Sequence, residues 1–186
     1  MKFRELELPN VWLLESELLI DDRGVFRRSF CAEEFKQHGL VPTVLQGNIS
    51  ENEKCGTLRG GFHYQNSPHQ EAKTLTCLSG SLFDIVVDLR PNSPKFLSWL
   101  SVNLDAENRL SLYLPPGCAN AYLTTNDKTI VHYYMSEIFV PDSYRGFHFA
   151  DPRFSFDWPF EPSVISMRDS NLPELDVEKV RRESSA

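Results

Sequence analysis

Between residues 59 and 73 the chain gathers Arg59, His63, His69, Glu71 and Lys73 around the pair Gly60-Gly61. A histidine titrates near neutral pH and can take a proton from a reacting atom, and a lysine can hold developing negative charge. Glycines beside such a set suggest backbone lying close to a ligand. An isolated histidine is ordinarily a surface or hydrogen-bonded structural residue, so the clustering is what raises the chemical reading. Lys73 opens an alternating run with Leu75 and Cys77 on its own face. Turned inward, it needs a partner or a ligand; at a strand end, it reaches back to water.

Three further groups could contribute. The corner Pro115-Pro116-Gly117 leads into Cys118-Ala119-Asn120-Ala121, whose small side chains leave room for a cavity. In Val131-His132-Tyr133-Tyr134, alternation sets Tyr133 with Val131 and Met135, opposite His132 and Tyr134, so one tyrosine faces inward. Ser166-Met167-Arg168-Asp169 follows an aromatic stretch containing Phe154, Phe156, Trp158 and Phe160. An aspartate there would by itself be a turn residue.

Strands must position these groups. Residues 82–89 alternate, with Phe83, Ile85, Val87 and Leu89 on one face and Asp84 and Asp88 with Leu82 and Val86 on the other, which predicts a half-buried strand. Residues 97–104 alternate similarly, and 11–19, 25–30, 43–50, 73–79, 109–114, 119–125 and 129–137 are further strand candidates. Turn signals separate them, including Asp22-Arg23-Gly24 and Asn126-Asp127. Many short strands at this spacing predict an all-β sandwich or barrel. Residues 32–38 predict a helix stopped by Gly39, and the charged segment 174–183 predicts a short helix or a loose tail.

The 186 residues fit one domain, 1–186, with a charged C-terminal segment 174–186. A net charge of −7 argues against nucleic acid as a partner, and no apolar run has bilayer length, so a cytoplasmic location without membrane contact is expected. The four cysteines, at 31, 55, 77 and 118, form no CxxC pair; Cys77 and Cys118 read as buried thiols.

The order of the motifs resembles the dTDP-4-dehydrorhamnose 3,5-epimerase family of cupin-fold nucleotide-sugar epimerases over about residues 10 to 174. The resemblance rests on DDRGVF (21–26), TLRGGFHYQ (57–65), EAKTL (71–75), FDIVVDLRPNSPKF (83–96), LDAENRLSLYLPPG (104–117), YRGFHFADP (144–152), DWP (157–159) and SMRD (166–169). It implies a cupin jelly-roll barrel with a few short helices. It also implies a homodimer whose N-terminal segment reaches across the interface, and a nucleotide diphosphate sugar (dTDP, CDP or GDP linked) as ligand. By that resemblance His63 is the base, Asp169 the carboxylate that orients it, Lys73 the group that stabilises an enolate and Tyr133 the acid on the opposite face. Contacts to substrate are implied for Arg23, Phe26, Arg28, Gln46, Asn48, Arg59, Asn120, Tyr144 and Arg168. No redox cofactor or metal is implied.

The chain departs from the family pattern at several places. Asn120 stands where the family has a second histidine. The family's Arg-Gly-Leu-His is one residue longer here, Arg59 to His63. Arg28 and Tyr144 replace glutamates, and Phe139 replaces a second tyrosine. Competing readings are a metal-dependent cupin using His63, His69 and Glu71, a non-catalytic nucleotide-sugar-binding protein, and a 4-keto-sugar ketoisomerase on the same scaffold.

Overall fold

The computed structural model describes residues 1–184. The element order is β1 (Lys2–Glu5), β2 (Trp12–Glu15), β3 (Leu18–Asp21), β4 (Gly24–Arg27), α1 (Ala32–Gln37), β5 (Gln46–Asn52), β6 (Leu58–Gln65), β7 (Lys73–Ser79) and β8 (Ser81–Asp88). Then follow β9 (Trp99–Asp105), β10 (Leu110–Leu114), β11 (Cys118–Thr124), β12 (Thr129–Met135), β13 (Tyr144–Arg145), α2 (Met167–Ser170) and α3 (Val177–Glu183). A six-stranded sheet runs β1-β2-β10-β7-β12-β5, a five-stranded sheet runs β13-β6-β11-β8-β9, and β3 and β4 form a separate hairpin. All named pairings are antiparallel. The two large sheets face one another as an open jelly roll, and the few helices are short.

Three apolar layers result. The inner one, with Leu75, Val86, Leu112, Tyr122 and Val131, lies between the sheets. A second covers the outside of the five-stranded sheet: Ile85, Val87 and Ala121 pack under Phe147, Phe154, Leu175 and Val180 from the C-terminal wrap and α3. A third sits under α1, where Phe35 meets Leu14 and Tyr113.

That second layer corrects the half-buried reading of residues 82–89. Both faces of β8 are covered, and Asp84 and Asp88 are each 0 % exposed. The wrap covers the face of Ile85 and Val87, while the two aspartates share the inner face with Leu82 and Val86. Asp88 is satisfied by Arg90 and Ser93; Asp84 bonds Asn120.

Other boundaries also move. The expected strand 11–19 breaks into β2 and β3 at Ser16, whose hydroxyl donates to the Arg28 carbonyl at 2.7 Å and turns the chain out of the sheet. Strand 25–30 ends at Arg27, and strand 43–50 becomes 46–52, in register with β12. The segment 174–183 is no loose tail: α3 docks Val180 into the wrap, capped by Asp176. Residues 185 and 186 lie outside the described residues.

β6 went unread as a strand because its alternation is broken. Arg59 pairs with Tyr122 and His63 with Asn120, so residues 60–62 oppose Ala121 alone. Two extra residues make a wide bulge, and an even number preserves parity: His63 stays on the face that Asn120 uses. Phe62 takes φ +40 there and turns outward to stack on Phe147 and Phe156. The two glycines serve this packing. A Cβ on Gly60 would lie 2.9 Å from Ala121 Cα, and one on Gly61 would lie 3.1 Å from the Phe147 carbonyl oxygen.

Candidate active site

A cavity of about 790 Å³ opens between the sheets, walled by β5, β6, β7, β11, β12 and the segment leading into α2. Among its lining are His63, Lys73, Tyr133 and Asp169, which the sequence spreads over more than a hundred residues. It also holds Gln46, Asn48, Arg59, Asn120, Tyr144 and Arg168.

His63 Nε2 lies 2.8 Å from Asp169 Oδ1. Asp169 sits in the first turn of α2, whose N-cap Ser166 accepts from its backbone N–H. Burial opposes the charge on Asp169, but the bond to His63, the charge of His63, Ser166 and Arg168 together hold its pKa below the ordinary value. Asp169 therefore stays ionised, and Nε2 must be the protonated ring nitrogen. The lone pair falls on Nδ1, which is buried without a partner under the Gly146 backbone. Tyr144 stacks on the imidazole at 4.9 Å, and the Arg168 guanidinium covers the Tyr144 ring at 4.7 Å.

Lys73 does enter the barrel. It is 9 % exposed, donates to the His63 carbonyl at 2.8 Å and pairs with buried Glu71 at 3.2 Å. An ammonium has three donors, so one remains for a ligand. Tyr133 projects from β12, on the sheet facing His63; burial raises its pKa, with Arg59 pulling the other way. Its hydroxyl is therefore held in the protonated, proton-donating form. Asn120, beside His63 on β11, donates from Nδ2 to Asp84 at 3.0 Å.

At the mouth, Arg59 is fixed by Asn52 Oδ1 at 2.7 Å and the Glu51 carbonyl. Gln46 donates to Asn48 and accepts from the Phe139 backbone. Exposed Arg59 and Arg168 can meet anionic oxygens there.

Three expected contacts lie elsewhere. Arg23 and Phe26 sit on the β3–β4 hairpin, where Arg23 pairs with Asp21 and Phe26 is 70 % exposed. Arg28 pairs with Glu34, which also holds the Met1 amino group. None of the three lines this chain's cavity. His69 is 4.0 Å from Glu137, outside the cavity, so the His63–His69–Glu71 set does not assemble. Among the described residues, no three His, Cys, Asp or Glu side chains gather as a metal site. Sequence reasoning missed Asp84, Ser50 and Tyr122. The last two line the cavity from alternating strands whose inward face only the sheet pairing reveals.

The family model for dTDP-4-dehydrorhamnose 3,5-epimerase matches residues 5–177. The dTDP-4-dehydrorhamnose 3,5-epimerase of Mycobacterium tuberculosis is 36 % identical over 180 residues, covering 95 % of this chain and 88 % of that protein. The crystal structure of the Bacillus anthracis enzyme with TDP and pyrophosphate bound is similar at TM-score 0.89 and 33 % identity, covering 94 % of this chain and 99 % of that one. A 3'-monoepimerase from Streptomyces bikiniensis in complex with dTDP-quinovose is similar at TM-score 0.84 and 30 % identity, with 97 % and 98 % covered.

Proposed function

The chain belongs to the dTDP-4-dehydrorhamnose 3,5-epimerase family, and from that premise we propose how its own residues carry out the inversion. It is an isomerase that inverts C3, C5 or both of a nucleotide-linked 4-keto-6-deoxy sugar in deoxysugar biosynthesis. The C4 ketone acidifies the hydrogens at C3 and C5. His63 removes one of them, and Asp169 stabilises the imidazolium that forms. The free N–H of Lys73 meets the enolate oxygen in a cavity where charge is poorly screened. Tyr133, on the facing wall, returns a proton from the other side, which inverts the centre.

The observation that carries this reading is that the His63–Asp169 pair, the Lys73 ammonium and Tyr133 line one cavity, with Lys73 and Tyr133 on the sheet that faces His63. Because Nδ1 is sealed under Gly146, the imidazole or the Tyr144–Gly146 segment must give when substrate enters.

The sugar is carried on a nucleoside diphosphate (dTDP, CDP or GDP), with the diphosphate at Arg59 and Arg168. The working unit is a homodimer of a single domain, 1–186, in the cytoplasm. The β3–β4 hairpin supports the dimer: Leu19, Ile20 and Phe26 are 60, 73 and 70 % exposed, and Arg23 points away from the chain's own cavity. Arg23 and Phe26 serve the partner's site, and Arg28 stands behind them.

Proton NMR in deuterium oxide with a panel of these nucleotide sugars tests the function. Loss of the C3 or C5 signal supports it; no exchange with any of them overturns it. Sedimentation of the protein and of Phe26→Asp tests the dimer, which the variant should dissociate.

A further inference from the structure

We propose that Tyr144 is a positioning residue for the base, its ring face stabilising the imidazolium that His63 becomes when it takes a proton from the sugar. The inference rests on the epimerase reading above and assigns Tyr144 to the base instead of to a contact with the sugar nucleotide. Tyr144 stands where the family pattern has a glutamate, so the arrangement belongs to this chain.

The rings of His63 and Tyr144 are stacked, with centroids 4.9 Å apart and planes 20° from parallel. A cation within about 6 Å of an aromatic centroid is attracted by the negative face of the ring. A neutral imidazole gains little from that face. When His63 takes a proton from carbon, the C–H electron pair passes into the enolate and the imidazole becomes a cation. The attraction therefore grows as the reaction proceeds, and interactions of that kind raise kcat. Asp169 meets the cation at the ring edge, through Nε2, and Tyr144 meets it at the face.

The Tyr144 ring is held for this use. Phe139 makes a T-shaped contact with it at 5.0 Å. Its backbone pairs with Gln65 in the β6–β13 ladder. On the far side of Gly146, the Phe147 N–H donates to the Gly61 carbonyl at 2.9 Å and its ring stacks on Phe62. The segment is thus tied at both ends. The imidazole is the member that shifts when substrate enters, and it can slide along the Tyr144 face without leaving it. Burial raises the pKa of the Tyr144 hydroxyl more than Arg168 lowers it, so the ring stays a neutral phenol. The Arg168 guanidinium lies over the same ring at 4.7 Å. Two cations compete for one π system, and anionic oxygens of a ligand on Arg168 relieve that competition. The nucleotide end of the substrate thereby favours charging of the base.

The test compares wild type with Tyr144→Phe, Tyr144→Leu and variants whose residue 144 is a phenylalanine bearing one, two or three ring fluorines. Fluorine withdraws π density at nearly constant shape, so packing is kept while the pull on a cation falls. Deuterium uptake is followed on the nucleotide sugar that wild type exchanges fastest, and kcat and KM are read separately. Tyr144→Leu should lower kcat about 5–30-fold, the range for one desolvated cation–π contact, with KM little changed. Tyr144→Phe should lose less than Tyr144→Leu, and kcat should fall stepwise with each fluorine. A kcat indifferent to fluorination would show mere packing and overturn the proposal. Equal losses for Tyr144→Phe and Tyr144→Leu would assign the effect to the hydroxyl and overturn it too, as would a loss confined to KM. If Tyr144→Leu does not fold, the fluorinated series decides alone. No uptake by wild type on any nucleotide sugar would instead remove the epimerase reading, and this inference with it.

Discussion

His63 Nε2 and Asp169 Oδ1 meet at 2.8 Å across a separation of 106 residues, one from a bulged strand and the other from the first turn of a helix only four residues long. The pair places a low-pKa carboxylate against the ring nitrogen that carries the proton.

Removing either partner should stop proton abstraction. Asp169→Asn and His63→Ala should each lower the rate of deuterium uptake by about 10²–10⁴-fold, the range for a positioned general base. Single-turnover NMR in deuterium oxide measures it. Full epimerisation by the His63 variant would remove the proposed base from the mechanism.

Tyr133→Phe should separate exchange from inversion. The abstracted carbon should still take up deuterium from the His63 side, while the inverted product accumulates far more slowly. Product analysis by NMR distinguishes the two. Loss of both together would place Tyr133 in substrate binding instead.

Lys73→Met should reduce kcat by about 10²–10³-fold, as for loss of one donor to a developing oxyanion. The substitution also leaves Glu71 buried without its cation, so the melting temperature should fall as well. Glu71→Gln in the Lys73→Met background should restore stability but not activity. Thermal unfolding and kcat on the two variants check both halves.

Stability should carry the mark of Asp84. Burial pushes its pKa up to about 8 from an ordinary 3.8, the bond from Asn120 and the charge of Lys73 offsetting only part of the shift. Between those values the folded chain keeps a proton that the unfolded chain has released. The contribution is therefore fully present below the unfolded pKa and is lost as pH rises toward 8. Asp169 acts in the opposite sense, its lowered pKa favouring the fold above the ordinary carboxylate range. Urea midpoints from pH 5 to 8 should decline for wild type and flatten for Asp84→Asn. Parallel profiles would refute the assignment.

Gly60→Ala should destabilise the bulge, because the obstruction is the backbone of Ala121 and not the end of a mobile side chain. Overpacking of this kind costs about 1–3 kcal/mol, read as a lowered melting temperature.

The sequence by itself determined the strand content, since alternation and turn residues are local properties that need no partner. Alternation left open whether Lys73 turned inward and which of Tyr133 and Tyr134 did; the sheet pairing puts Lys73 and Tyr133 on the cavity wall. The motifs carried the family, and with it His63 and Asp169. The tertiary structure decided what depends on partners. Whether Asp84 faced water or the interior turned on the facing sheet, because Asp84 shares the inner face of β8 with Leu82 and Val86 while the C-terminal wrap covers the opposite face with Ile85 and Val87. The face used by His63 turned on how many residues the β6 bulge absorbs, which only its pairing with Ala121 reveals. Arg23 and Phe26 could be named from their motif, but their position outside the cavity follows from the β3–β4 hairpin standing apart from both large sheets. A one-dimensional pattern records how a residue stands relative to its neighbours in the chain; burial is set by whatever packs against it.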